Sequence, residues 1–179
     1  EAMLHMGAIY KESNRIKEGL AFSEKLIKNH KDVSEFYDLR ASLLEGEKKY
    51  TQALQVLDAG LKQNKEDEKL LYFKGALLDK VGHSKDALEI MTNLIKINPE
   101  HAHALNFIAY YFAERGENLV EAEERANKAM QLRPEDGYIT DTVAWVKFKK
   151  GNYQEALTVL QKAIELIPEE AVVYEHLGD

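Results

Sequence analysis

The sequence has no cysteine, which excludes disulfides and thiolate-held metals but leaves the redox compartment open. Three prolines and ten glycines in 179 residues are too few for long loops or a turn-rich β architecture. No run of about 18 apolar residues occurs, so no segment is suited to spanning a bilayer as a helix. Basic charge is in deficit: 24 Lys and Arg against 31 Asp and Glu give a formal net charge of −7. That average field repels a polyanion and argues against nucleic acid as a partner. The local run Lys147, Lys149 and Lys150 is read as a solvated helix end. β-Branched residues form no alternating runs, whereas Ala, Leu, Glu and Lys abound, and 45% of the chain is hydrophobic. An all-α fold follows.

The prolines, Pro99, Pro134 and Pro168, are spaced 35 and 34 residues apart. Small residues repeat the same interval. Gly19, Ala53, Ala87, Ala122 and Ala156 form one series, and Gly7, Ala41, Gly75, Ala109, Ala144 and Gly178 a second. Every step is 34 residues except one of 35 in each series, Ala87 to Ala122 and Ala109 to Ala144. One inserted residue between Ala109 and Ala122 accounts for both, most simply in the turn Gly116-Glu117-Asn118-Leu119.

These positions carry a family resemblance. Leu71…Lys74-Gly75…Leu78…Ala87…Met91…Pro99 and Val143-Ala144…Gly151-Asn152-Tyr153…Ala156…Leu160…Ala163…Pro168 resemble the tetratricopeptide repeat, W-x2-L-G-x2-Y, then A-x3-F and a closing Pro. Where that pattern has Trp, this chain has Met3, Tyr37, Leu71, Leu105, Thr140 and Tyr174. The resemblance divides residues 1–179 into one array of units 1–33, 34–67, 68–101, 102–136 and 137–170, with 171–179 opening another. It implies a right-handed superhelical solenoid of antiparallel helix pairs. Because one pair cannot bury its apolar stripe, each unit covers its neighbour, and small residues mark the closest helix approaches. Turns are expected near Ser13–Arg15, Gly46–Lys49, Gly82–Ser84, Gly116–Leu119 and Lys150–Asn152. Asn118-x-x-Glu121 and Asn152-x-x-Glu155 have the spacing of reciprocal helix caps, and Ser34 and Asp136 are further cap candidates. Both ends fall inside repeats, so the expectation is a segment of a longer chain, with self-association through uncapped ends as the alternative.

The resemblance implies no catalysis and a protein or peptide partner in a concave groove lined by the first helix of each unit. Carried over position by position, the groove takes Leu4, Ala8, Lys11 and Glu12 in the first unit and Glu35, Asp38, Ser42 and Glu45 in the second. From the third unit onward it becomes aromatic, and the candidate binding residues are Lys69, Tyr72, His103, Asn106, Tyr110, Tyr138, Asp141, Trp145 and Phe148. Aromatic side chains with polar tips suit binding hot spots. Asn106 or Asp141 is placed to hold a peptide backbone, and Trp145 is expected to be partly exposed. Ala113 also falls on a groove position. A basic clamp for a terminal carboxylate, as in chaperone-binding relatives, is not expected: of Leu4, Ala8, Asp38, Lys69 and Phe73, only Lys69 fits.

No cofactor or metal site is expected. His101-x-His103 lacks the spacing that puts two ligands on one helical face, and the six histidines are read mostly as surface residues. No glycine-rich phosphate loop or Ser/His/Asp grouping is present. The alternative to an adaptor is the non-catalytic arm of a larger enzyme. The wording of the last two units, from Asn106 to Glu175-His176-Leu177-Gly178-Asp179, is similar to repeats of bacterial envelope and secretion-associated proteins. This implies a bacterial envelope location, with the cytoplasm as alternative.

Overall fold

The period of 34 residues leaves room for two helices of about four turns and two short turns. The structure, a computed structural model, describes residues 9, 10, 12, 13 and 15–178. Among these residues there are ten longer helices and no strand: α1 (Ile16–Asn29), α2 (Ser34–Gly46), α3 (Tyr50–Gln63), α4 (Glu68–Lys80), α5 (Ser84–Ile97), α6 (Ala102–Arg115), α7 (Leu119–Leu132), α8 (Gly137–Lys149), α9 (Tyr153–Leu166) and α10 (Ala171–Gly178). Gly7, Leu4, Ala8, Lys11 and the middle of the first expected turn lie outside the described residues. No described helix is long and apolar enough to cross a membrane.

The chain forms two compact bodies, Glu1–Ile90 and Met91–Asp179. In the first, α2 and α3 pack as a pair and α4 covers both, so that Tyr37, Ala41, Leu44, Ala53, Leu57, Leu70 and Leu77 form one core cluster. A side chain at Gly60 would meet Leu70 Cδ1 at 2.6 Å and Tyr37 Cγ at 2.9 Å. The Leu70 methyl is able to swing aside; the root of the Tyr37 ring is not. Gly60→Ala is therefore expected to destabilise by about 1 kcal/mol in urea denaturation, although alanine is intrinsically the better helix former by a similar amount. A gain in stability would show that α2 and α3 are less closely apposed at Tyr37.

In the second body α6 pairs with α7 and α8 with α9, and α8 also packs on α6 and α7. The small-residue series explains the closeness. Ala109, Ala122 and Ala126 are at most 1% exposed and share a cluster with Ala113, Val143, Trp145 and Val146. Gly19, Ala53, Ala87 and Ala156, which form one series with Ala122, are likewise buried.

The turns show where the inserted residue went. Lys48, Gly82, Gly116 and Gly151 all have positive φ, the left-handed conformation that ends a helix and favours glycine. After three of them one residue precedes the next helix; after Gly116 there are two, and the second, Asn118, is itself left-handed with φ 47°.

Capping departs from expectation. Asp136 caps α8, its carboxylate accepting from the backbone N–H of Tyr138 and Ile139. Asn118 and Asn152 occupy N-cap positions without making a side-chain cap bond. The acidic residues expected to reciprocate are drawn elsewhere: Glu121 pairs with Arg125 and Glu155 with Lys147. Ser34 already lies within α2, behind Val33 at the N-cap. Two caps were not expected, Asp67 accepting from Leu70 N and His101 Nδ1 accepting from Ala104 N.

Candidate partner-binding face

Residues three, four and seven apart share one side of a helix. On α6 this places His103, Asn106 and Tyr110 together, all partly exposed. His103 Nδ1 lies 3.8 Å from Asp136 Oδ2 at the start of α8. Ala113, expected in the groove, is instead fully buried in the α6–α8 cluster, where a small residue lets the helices meet.

On α8 the corresponding residues are Tyr138, Asp141, Trp145 and Phe148. Tyr138 is half exposed, and its hydroxyl donates to Glu170, which raises the phenol above its usual range. Asp141 and Trp145 are each only 5% exposed, which overturns their assignment to an open groove. The physical reason is His176 of α10. Its Nδ1 stands 2.9 Å from Asp141 Oδ1, and its ring stacks on the indole with centroids 4.1 Å apart and planes within 15°. Trp145 Nε1 donates to Glu114 Oε1 at 2.6 Å, while Phe148 stacks on the same indole at 5.1 Å. Trp145 thus ties α6, α8 and α10 together. Treating the histidines as surface residues misses this contact; the available signal was that His176 stands one position beyond the repeat equivalent of Asp141.

The same register explains a difference at Asn106. One repeat earlier, the place of His176 is taken by Thr142, whose hydroxyl donates to the backbone oxygen of Tyr138 at 3.1 Å. Asn106 Oδ1 is left buried with no hydrogen-bond partner among the described residues. Buried acceptors are ordinarily paired, so Asn106 Oδ1 is an unsatisfied acceptor on this side of α6.

Lys69 and Tyr72 lie on α4 of the first body. Lys69 edges a polar hollow of about 450 Å3 walled also by Glu35, Asp38, Asn64, Glu66 and Asp67. Burial pushes the Asp38 carboxyl above its usual range, against the opposing pull of Lys69. Phe148, by contrast, faces an apolar cavity of about 440 Å3 together with Trp145, Tyr153, Leu157 and Leu160.

Residues 1–32, 72–137 and 142–170 match family profiles described as tetratricopeptide repeat. A TPR repeat-containing protein of Pseudomonas aeruginosa is 28% identical over 179 residues, 99% of this chain and 30% of that protein. The probable UDP-N-acetylglucosamine–peptide N-acetylglucosaminyltransferase SPINDLY of Hordeum vulgare is 26% identical over 145 residues, 77% of this chain and 15% of that one. The chain therefore spans less than a third of either relative. Among solved structures, YrrB, described as a TPR protein with an unusual peptide-binding site, matches with a TM-score of 0.71 at 20% identity, covering 99% of this chain and 91% of that one. MamA of Desulfovibrio magneticus RS-1 matches at 0.73 and 21%, covering 95% and 96%. At these identities the likeness shows the fold, an all-α solenoid of helix pairs.

Proposed function

The chain belongs to the tetratricopeptide-repeat family, and from that premise we propose that it acts as a protein-interaction scaffold whose second body binds an extended partner segment along α6 and α8. Asn106 carries the reading: its buried, unpartnered carbonyl accepts a backbone N–H from the segment. His103 and Tyr110 flank it on α6, and half-exposed Tyr138 stands at the start of α8. Asp141 and Trp145 support this face from beneath instead of touching the partner. The peptide-binding site named for YrrB supports the class of ligand.

The test is a pull-down from native lysate with the chain and with a His103→Ala/Asn106→Leu variant of unchanged helical circular dichroism. Loss of the acceptor is expected to weaken the captured partner by about tenfold or more, the equivalent of roughly 1.4 kcal/mol. A partner retained equally by both baits would place binding on another surface, and no partner with either would favour self-association. Repeats of this family are generally non-catalytic. A second reading, the non-catalytic arm of a larger enzyme, is supported by the match to part of a transferase. The mass and activity of the native gene product would decide it.

A further inference from the structure

Asp67, His101 and Asp136 occupy one repeat position, immediately before α4, α6 and α8, at intervals of 34 and 35 residues. All three cap their helix through the side chain. Asp67 accepts from Leu70 N at 3.0 Å and Asp136 from Tyr138 N and Ile139 N, whereas His101 Nδ1 accepts from Ala104 N at 3.2 Å. A carboxylate keeps its acceptor oxygens down to about pH 4, but an imidazole gives up its one acceptor on protonation near pH 6.5. Because a backbone amide only donates, the contact fixes the tautomer: Nδ1 is bare and the neutral ring carries its proton on Nε2. Of the three caps, His101 is the one whose chemistry changes near neutral pH.

We propose that His101 is a pH-sensitive cap that holds the start of α6 while neutral and releases it on protonation. An imidazolium has no lone pair for the Ala104 N–H, and its charge stands at the positive end of the helix dipole. The amide keeps the backbone oxygen of His101 at 3.1 Å, so release loosens the first turn without unwinding α6. That turn carries His103 and leads to Asn106, and the switch acts on this face whether or not a partner lies there. Titratable neighbours include Glu100 in the same turn and His103, whose ring is 6.5 Å from that of His101 and which as a cation opposes a second charge. From α8 comes Asp136, with Oδ2 3.8 Å from His103 Nδ1, so that it favours a proton on His103 while its other oxygen caps α8. Around adjacent Ala102, α5 and α7 contribute the apolar Ile95, Ala129, Met130 and Leu132. The folded chain thus favours neutral His101 and the unfolded chain does not. The stability from the cap is complete above about pH 6.5, the ordinary histidine value, and is lost as the pH falls from there through the lower folded value.

The tautomer is read by NMR on the unaltered chain with nitrogen-labelled histidine, the His101 resonances being assigned by their loss in His101→Asn. At about pH 8 an unprotonated Nδ1 and a protonated Nε2 are expected, with Nδ1 taking up its proton below the ordinary histidine range. The cap itself is read from hydrogen exchange at the Ala104 amide, corrected for its intrinsic rate. His101→Asn keeps a cap that does not titrate, and His101→Ala has none at any pH. Protection of Ala104 in the unaltered chain is expected to match His101→Asn at about pH 8. By about pH 5.5 it is expected to fall roughly fivefold toward that of His101→Ala, while the two variants keep a constant ratio. A proton on Nδ1 at the higher pH, or parallel profiles for the unaltered chain and His101→Asn, would overturn the proposal.

Discussion

Replacing His176 with alanine is expected to cost about 3 kcal/mol, the lower end of the range for leaving a buried carboxylate without its partner. The side chains of Asp141 and His176 are 6% and 7% exposed, and removing the imidazole leaves a carboxylate in a site that water scarcely reaches. The stack on Trp145 is lost with it. The cost is held to the lower end because α10 can lift away locally, re-exposing Asp141, without unfolding the rest. Trp145 emission is therefore expected to shift to the red before the main urea transition. The double variant Asp141→Asn/His176→Ala is expected to be more stable than His176→Ala alone, since the amide removes the buried charge. That coupling separates the Asp141–His176 contact from simple loss of ring packing. A His176→Ala protein within about 0.5 kcal/mol of the parent, the range of ordinary surface substitutions, would show that Asp141 does not depend on the histidine.

How far these contacts were legible in the chain depends on their range. The two small-residue series report helix approaches that every repeat must make, so Ala122 and Ala156 announced their burial through periodicity. The insertion was equally visible, because one extra residue shifts both series, and it falls between left-handed Gly116 and the N-cap Asn118. Asp136 was legible as a cap for the same local reason. Caps failed where longer side chains competed: Lys147 and Arg125 draw Glu155 and Glu121 away from the helix starts. The groove was legible only to the level of a helix face. Position within α8 put Asp141 and Trp145 on the expected side, but whether that side is open depends on a ring from the next helix. Nothing periodic marks His176, because the earlier repeat has Thr142 in its place. The buried, unpaired carbonyl of Asn106 is the other consequence of that single difference, and so it too became visible only with the helices assembled.

Ala122→Leu is the second large effect expected, a loss of about 3 kcal/mol, the upper part of the usual range for overpacking. Ala122 is fully buried, and the residues gathered around it, Ala109, Ala113, Ala126, Val143 and Val146, are mostly alanine. Such a site has few flexible side chains to yield, so the added volume must be taken up by moving α7 from α6 and α8. Those three helices also position Glu114 against Trp145 and Glu123 against Lys150, and their separation would strain both contacts. The exposed neighbour Glu124 provides the control, because Glu124→Gln changes one charge without touching the interface and is expected to stay within about 0.5 kcal/mol. Urea denaturation followed by circular dichroism measures both variants on one scale. Equal midpoints would mean that Ala122 does not sit where the helices meet most closely, and the small-residue series would lose its physical explanation. A large loss at Ala122 with none at Glu124 would instead tie the 34-residue interval to the packing distance between first and second helices.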